Sequence, residues 1–257
     1  MRLTFASPDL KRNGALVLFV TNAKSLSGTA QKLDRQTGGS IKRAMTASRF
    51  TGNAGQTLKI LAPQGMKASQ IMLIGLGKAG DVDALVSQNA GGRVVAALGG
   101  GADSSASVVV EPIKGGSVTA AEMAANAAYG ALLRSYRFDK YRTKEKPEDK
   151  PALGSICVMT SDVAKARRLY GPLNKIAGGV FFTRDLVSEP ANVIYPASFA
   201  TRARSLSKLG VKIQVLDEKQ MAKLGMGALL GVGQGSAKAS RIVAMRWNGA
   251  PKAKDKR

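Results

Sequence analysis

Short apolar runs separated by helical stretches constrain this chain to an α/β fold. ALVLFV at 15–20, TLKILAP at 57–63 and QIMLIG at 70–75 have the length and side-chain types of buried strands. Longer stretches of helical spacing follow them, and that alternation is what packed layers of sheet and helix require. DALVSQNAGGRVVAALGGG reads as a helix closing on glycines, and SASVVVEP at 105–112 returns to strand. Thr119 and Glu122 then stand at capping-box spacing, where each side chain can satisfy a backbone N–H. They predict a helix through TAAEMAANAAYGALLRSYRF with Met123, Ala127 and Leu132 or Leu133 facing a core.

KYRTKEKPEDKP at 140–151 mixes both signs of charge with two prolines, so Glu145, Glu148 and Asp149 are placed in a solvated loop. SICVMT is a strand, and Ser161 is positioned to cap a long helix through DVAKARRLYGPLNKIAGGVFFTRDLV. A domain boundary is expected within that stretch, giving domains of 1–165 and 166–257. VKIQVL at 211–216 is a further strand. Asp217 with Gln220 caps a short helix that Gly225 ends, a glycine-rich turn follows in GALLGVGQGS, and RIVAMRWNG is the last strand.

The chain carries 39 Lys and Arg against 17 Asp and Glu, a formal charge of +22, which raises nucleic acid as a partner. Its distribution argues the other way. Residues 1–100 hold 13 basic and 4 acidic side chains, residues 101–200 hold 13 and 10, and residues 201–257 hold 13 and 3, with no long basic block. Aromatic residues, at 5%, are too few for a platform that stacks bases. No apolar run approaches the roughly 20 residues that span a bilayer, and the first residues lack the order of a signal peptide, so no membrane partner and a cytoplasmic location are expected. The single cysteine, Cys157, sits in apolar SICVM and reads as a small buried hydrophobe.

Gly75, Gly77 and Gly80 have dinucleotide-loop spacing directly after a strand. The fingerprint also needs an acidic residue about 20 positions on, where this chain has helical VVAAL and then only Asp103, so a tight strand-to-helix turn is the better reading. The sequence contains no histidine, which excludes a His-based zinc site, a Ser-His-Asp triad and a Cys-His dyad within it. The carboxylates of Asp81, Asp83, Asp217 and Glu218 fall at helix starts, where exposed N–H groups favour negative charge.

TRDLVSEPANVIYPASFA at 183–200 resembles the segment that opens the catalytic domain of the leucyl aminopeptidase family. VLDEKQMAKLGMGALLGVGQGSAKASRIVAMRWNG at 215–249 is similar to the family's next signature, and IMLIGLGK, AGGRVVAAL and YGALLRSYRFDKYR look like its more variable amino-terminal domain. The resemblance implies a macro-domain-like amino-terminal domain, a mixed sheet between helices, followed by an incomplete α/β metallopeptidase domain. It implies a homohexameric, cytosolic exopeptidase that removes amino-terminal residues from peptides with two divalent cations, manganese or zinc. The matching positions are Arg184, Asp185, Leu186, Val187, Pro190 and Asn192, with Gly225, Gly227, Gly231, Gly233 and Gly235; together with Glu189 they are expected to be scaffold. The family's Gly-Lys-Gly and Asn-Thr-Asp-Ala-Glu-Gly-Arg segments do not occur here, so no catalytic, metal or cofactor-binding residue is transferred to this sequence. A truncated chain, inactive alone and holding no cation of its own, is therefore expected; the alternative is a basic macro-like module that binds nucleic acid.

Overall fold

The structure, a computed structural model, describes residues 1–22 and 26–249. It divides into two compact units, Met1–Phe182 and Thr183–Arg257.

The first unit is built on a six-stranded mixed sheet. Its strands are β1 (Arg2–Ala6), β2 (Gly14–Thr21), β3 (Thr57–Leu61), β4 (Ala68–Gly77), β5 (Ser105–Val109) and β6 (Ser155–Met159), in the order β1-β6-β5-β2-β4-β3. All neighbours run parallel except β3, which pairs antiparallel with β4. Helices α1 (Gly28–Gln36) and α2 (Ser40–Ala47) lie on one face, where Ala30, Leu33, Ile41 and Met45 meet Leu16, Leu18 and Leu73. Helices α3 (Ala84–Leu98) and α4 (Ala120–Arg134) lie on the other, with Val94, Leu98, Met123 and Ala124 against Ala15, Val17 and Val108. Burial on both faces is why ALVLFV has no polar positions: alternate residues enter different cores.

TLKILAP is the exception among the expected buried strands. β3 has one neighbour and one covered face, so Leu58 and Ile60 pack inward while Thr57, Lys59 and Leu61 are exposed. A charged, short edge strand of this kind discourages pairing with other chains. Cys157 is buried in β6, as its apolar surroundings suggest.

Thr119 and Glu122 form the complete capping box at the start of α4, with Met123 and Ala127 buried and Leu132 and Leu133 half-buried. α3 and α4 approach closely because Gly91 and Gly130 face each other's backbones: a Cβ on Gly91 would overlap the Ala127 carbonyl oxygen, and one on Gly130 that of Gln88. The long helix α5 (Val163–Ser188) begins one residue later than a Ser161 cap would require. The Asp162 carboxylate accepts the Lys165 N–H at 3.0 Å instead. The 140–151 segment is exposed as expected except at Glu145, which pairs with Arg137 and has little side-chain exposure.

The glycine run at the end of β4 is closed from within. The Gly75 N–H donates to the Gln56 carbonyl at 2.9 Å and the Gly77 N–H to that of Gly52 at 2.9 Å. A Cβ at Gly75 would overlap the Asn53 carbonyl oxygen, and Gly77 takes a φ of 84° before the turn into α3. The donors that a pyrophosphate would need are used by the protein's own loop, so the segment is a tight turn.

The second unit contains α6 (Pro196–Arg204), an antiparallel pair of β7 (Lys212–Leu216) with β8 (Ile242–Arg246), and between those strands α7 (Glu218–Lys223) and α8 (Gly227–Gly233). Asp217 and Gln220 form a capping box, and Gly225 adopts a φ of 71° just past α7. GALLGVGQGS is not a turn, because its first seven residues form α8. Its glycines disfavour helix by roughly 1 kcal/mol each, so their spacing concealed it. Among the described residues no helix is long and apolar enough to cross a membrane.

Candidate functional site

The resemblance-bearing residues fall in the second unit, and their local structure follows from the sequence. α5 ends at Ser188, and Pro190 comes two residues later, where it cannot continue the helical hydrogen bonding. The Pro190 carbonyl accepts both the Val193 and Ile194 N–H groups at 2.9 Å, forming a compact turn. Pro196 then opens α6, where its missing N–H costs nothing. The Ser198 hydroxyl accepts the Tyr195 N–H at 2.9 Å and donates to the Val193 carbonyl at 2.8 Å, fixing the entry. The Lys238 ammonium stands 4.6 Å from the Tyr195 ring centre.

At the end of α5 Arg184 and Val187 are exposed and Asp185 and Leu186 half-buried, and in the turn Pro190 and Asn192 are exposed. Glu189 is the buried charge of the segment. Its carboxylate accepts a hydrogen bond from the Arg202 guanidinium at 3.3 Å, which ties the end of α5 to α6. No periodic signal links positions 13 apart in sequence, so this pair was not legible there.

Gly225 follows α7, Gly227, Gly231 and Gly233 lie in α8, and Gly235 lies in the segment leading to β8. A Cβ on Gly233 would overlap the Ser240 hydroxyl, while Gly227, Gly231 and Gly235 face open space. The Glu218 carboxylate accepts the Ser240 N–H at 2.7 Å, joining the start of α7 to the approach to β8. Gly233 and Glu218 therefore both converge on Ser240; the other glycines do not meet at one point.

These side chains do not fit a two-cation centre. Among the described residues no group of three or more His, Cys, Asp or Glu side chains is close enough to hold an ion. Asp217 is used as a cap, Glu218 on Ser240 and Glu189 on Arg202. Three perturbed ionisable groups lie in the first unit. The Thr119 backbone N–H and then its hydroxyl hold the Glu122 carboxyl below its ordinary value, with Lys165 adding to the effect. The Glu145 hydrogen bond raises Arg137, and burial raises the Tyr170 phenol.

Comparison with known proteins gives this geometry a context. The model of the cytosol aminopeptidase family's N-terminal domain matches residues 17–145, and that of the family's catalytic domain matches residues 181–257. A probable cytosol aminopeptidase of Caulobacter vibrioides is 42% identical over 252 residues, 97% of this chain and 50% of that protein. One from Afipia carboxidovorans is 44% identical over 256 residues, 100% of this chain and 51% of that protein. The chain thus spans about half the length of the curated relatives it matches. A tomato leucine aminopeptidase mutant superposes with a TM-score of 0.80 at 22% identity, covering 95% of this chain and 50% of its own, a likeness of fold. The bottromycin maturation enzyme BotP in complex with Mn gives 0.70 at 26% identity, covering 91% and 45%.

Proposed function

The chain belongs to the cytosol aminopeptidase family, and on that premise we propose that it serves in the metal-dependent removal of amino-terminal residues from peptides. The observation that carries this reading is the succession of two family models along one chain, the second of them the catalytic domain. It favours the peptidase over the nucleic-acid alternative, because a dispersed positive charge accounts for neither match. In this reading the amino-terminal domain extends to about residue 165 and the catalytic part follows it. The working enzyme then uses two divalent cations, takes peptides as substrates, assembles as a homohexamer and acts in the cytoplasm. Manganese is one candidate ion, since the BotP structure holds it.

The motif residues are scaffold in this proposal. Arg184, Asp185, Leu186, Val187, Pro190 and Asn192 set the end of α5 and the turn into α6, and Gly225 to Gly235 shape α7 and α8. The chain spans about half the length of its curated relatives, and in this reading it is inactive by itself.

The test joins this chain to the remaining half of the Caulobacter vibrioides relative and assays leucine p-nitroanilide with added manganese or zinc. The relative itself serves as positive control. Metal-dependent turnover by the chimera, and none by this chain alone, is the expected result. A folded, metal-loaded chimera without turnover would overturn the proposal, as would turnover by this chain alone.

A further inference from the structure

A polar cavity lies at the amino ends of the parallel strands. Arg2, Ser155 and Ser105 form one cross-strand row on β1, β6 and β5, and Thr4, Cys157 and Ser107 form the next. Side chains two apart in a strand share a face, so both rows lie on the face that α1 and α2 cover further along. There the same face is apolar, with Val109 and Met159 in the core, and the opposite face carries Ala106 and Ile156. Hydroxyl groups replace apolar side chains only where helical cover stops. They floor a cavity of about 510 Å³ that no residue of α1 or α2 lines.

The walls of this cavity are cationic. Lys11 and Arg12, from the turn between β1 and β2, and Lys67, from the connection into β4, stand with Arg2 around the hydroxyl floor, and no carboxylate lines it. Arg12 alone of the four makes an ion pair among the described residues, a 3.8 Å contact with exposed Asp9 that contributes little. Beside the floor, Gly14 takes a φ of 82°, and a Cβ there would overlap the Ser105 carbonyl oxygen and hydroxyl, so glycine lets the start of β2 pass close to β5. Four cations with converging hydroxyl donors match the chemistry of a phosphate group, which takes several charge-assisted hydrogen bonds at once. No aromatic ring lines the cavity, so a nucleobase would have nothing to stack on.

We infer that this cavity binds a small, non-aromatic phosphate-bearing ligand, with Arg2, Lys11, Arg12 and Lys67 supplying charge and Thr4, Ser105, Ser107 and Ser155 supplying hydroxyl donors. The size of the cavity exceeds that of a lone phosphate and admits a pyrophosphate or a sugar phosphate.

Isothermal titration of the intact chain at low salt with orthophosphate, pyrophosphate and ribose 5-phosphate tests this and separates the sources. The strongest of the three should bind saturably, and the Arg12→Ala/Lys67→Ala variant should bind it at least about tenfold more weakly. Thr4→Val removes one donor without altering charge or shape and should weaken binding a few-fold. Lys78→Ala/Lys114→Ala removes the same charge past the opposite, carboxyl ends of β4 and β5 and should leave affinity within about twofold. Circular dichroism checks that each variant is folded. Absence of saturable binding of all three ligands at millimolar concentration would overturn the inference. So would equal losses in the two double variants, which would assign binding to the +22 net charge alone.

Discussion

Glu189, buried beyond the last turn of α5, receives the guanidinium of Arg202 from α6 at 3.3 Å, so a charge inside the second unit is held by one at its surface. Removing the arginine takes one charge-assisted hydrogen bond from a buried carboxylate. Arg202→Ala should therefore destabilise the unit by about 1–3 kcal/mol, with Arg202→Lys intermediate. Hydrogen exchange read on α6 peptides should accelerate in the same order, and unchanged exchange in Arg202→Ala would show the pair to be idle.

The approach of α3 to α4 gives a contrast between adjacent glycines. Gly91→Ala drives a methyl into the Ala127 carbonyl and should lower stability by about 1–3 kcal/mol. A Cβ on Gly92 meets its nearest atoms at 3.6 and 3.7 Å, ordinary contact distances, and alanine favours helix there. Gly92→Ala should be neutral or stabilising by up to about 1 kcal/mol in urea unfolding.

The α4 capping box should show in the acid range. Its hydrogen bonds hold the Glu122 carboxyl below 4.5, so the ionised form stabilises the fold above that pH and the contribution disappears as pH falls through the lower folded-state value. The stability difference between the parent and Glu122→Gln should be full at neutral pH and vanish in strong acid. Thr119→Ala should cost about 1 kcal/mol at neutral pH. A difference constant from neutral to acid pH would contradict the assignment.

The second unit leaves large apolar side chains in water, among them Val187 at 81%, Leu209 at 73% and Val232 at 90% exposure. Repulsion within a +22 population opposes their association until salt screens it. Light scattering by the isolated chain should therefore rise as sodium chloride increases from about 20 to about 300 mM, and Val232→Lys should reduce the rise. A monodisperse chain throughout would count against this.

Much of the sheet was legible because strands buried on both faces need uninterrupted apolar runs, as in ALVLFV and QIMLIG. β1, with alternating RLTFA, and the polar helix α1, with GTAQKLDRQ, carry no such run and owe their place to tertiary packing. The capping boxes at Thr119 and Asp217 could be read because both partners lie within one turn. The pairing of Glu189 with Arg202, and the meeting of Arg2, Ser105 and Ser155, depend on register between distant segments, which local pattern does not encode. The division of the chain falls inside α5 without a proline- or serine-rich linker to mark it.

The partner of β1 is β6, so the first strand of this sheet to leave the ribosome must wait for the last. At roughly 5–20 residues per second, translation leaves Arg2–Ala6 unmatched for on the order of ten seconds. During that interval the four central and far strands can associate without it, and completion of the edge is a late event in biogenesis. The cavity floored jointly by β1, β5 and β6 comes into existence only at that final step, which makes the phosphate binding inferred for it a report on finished folding.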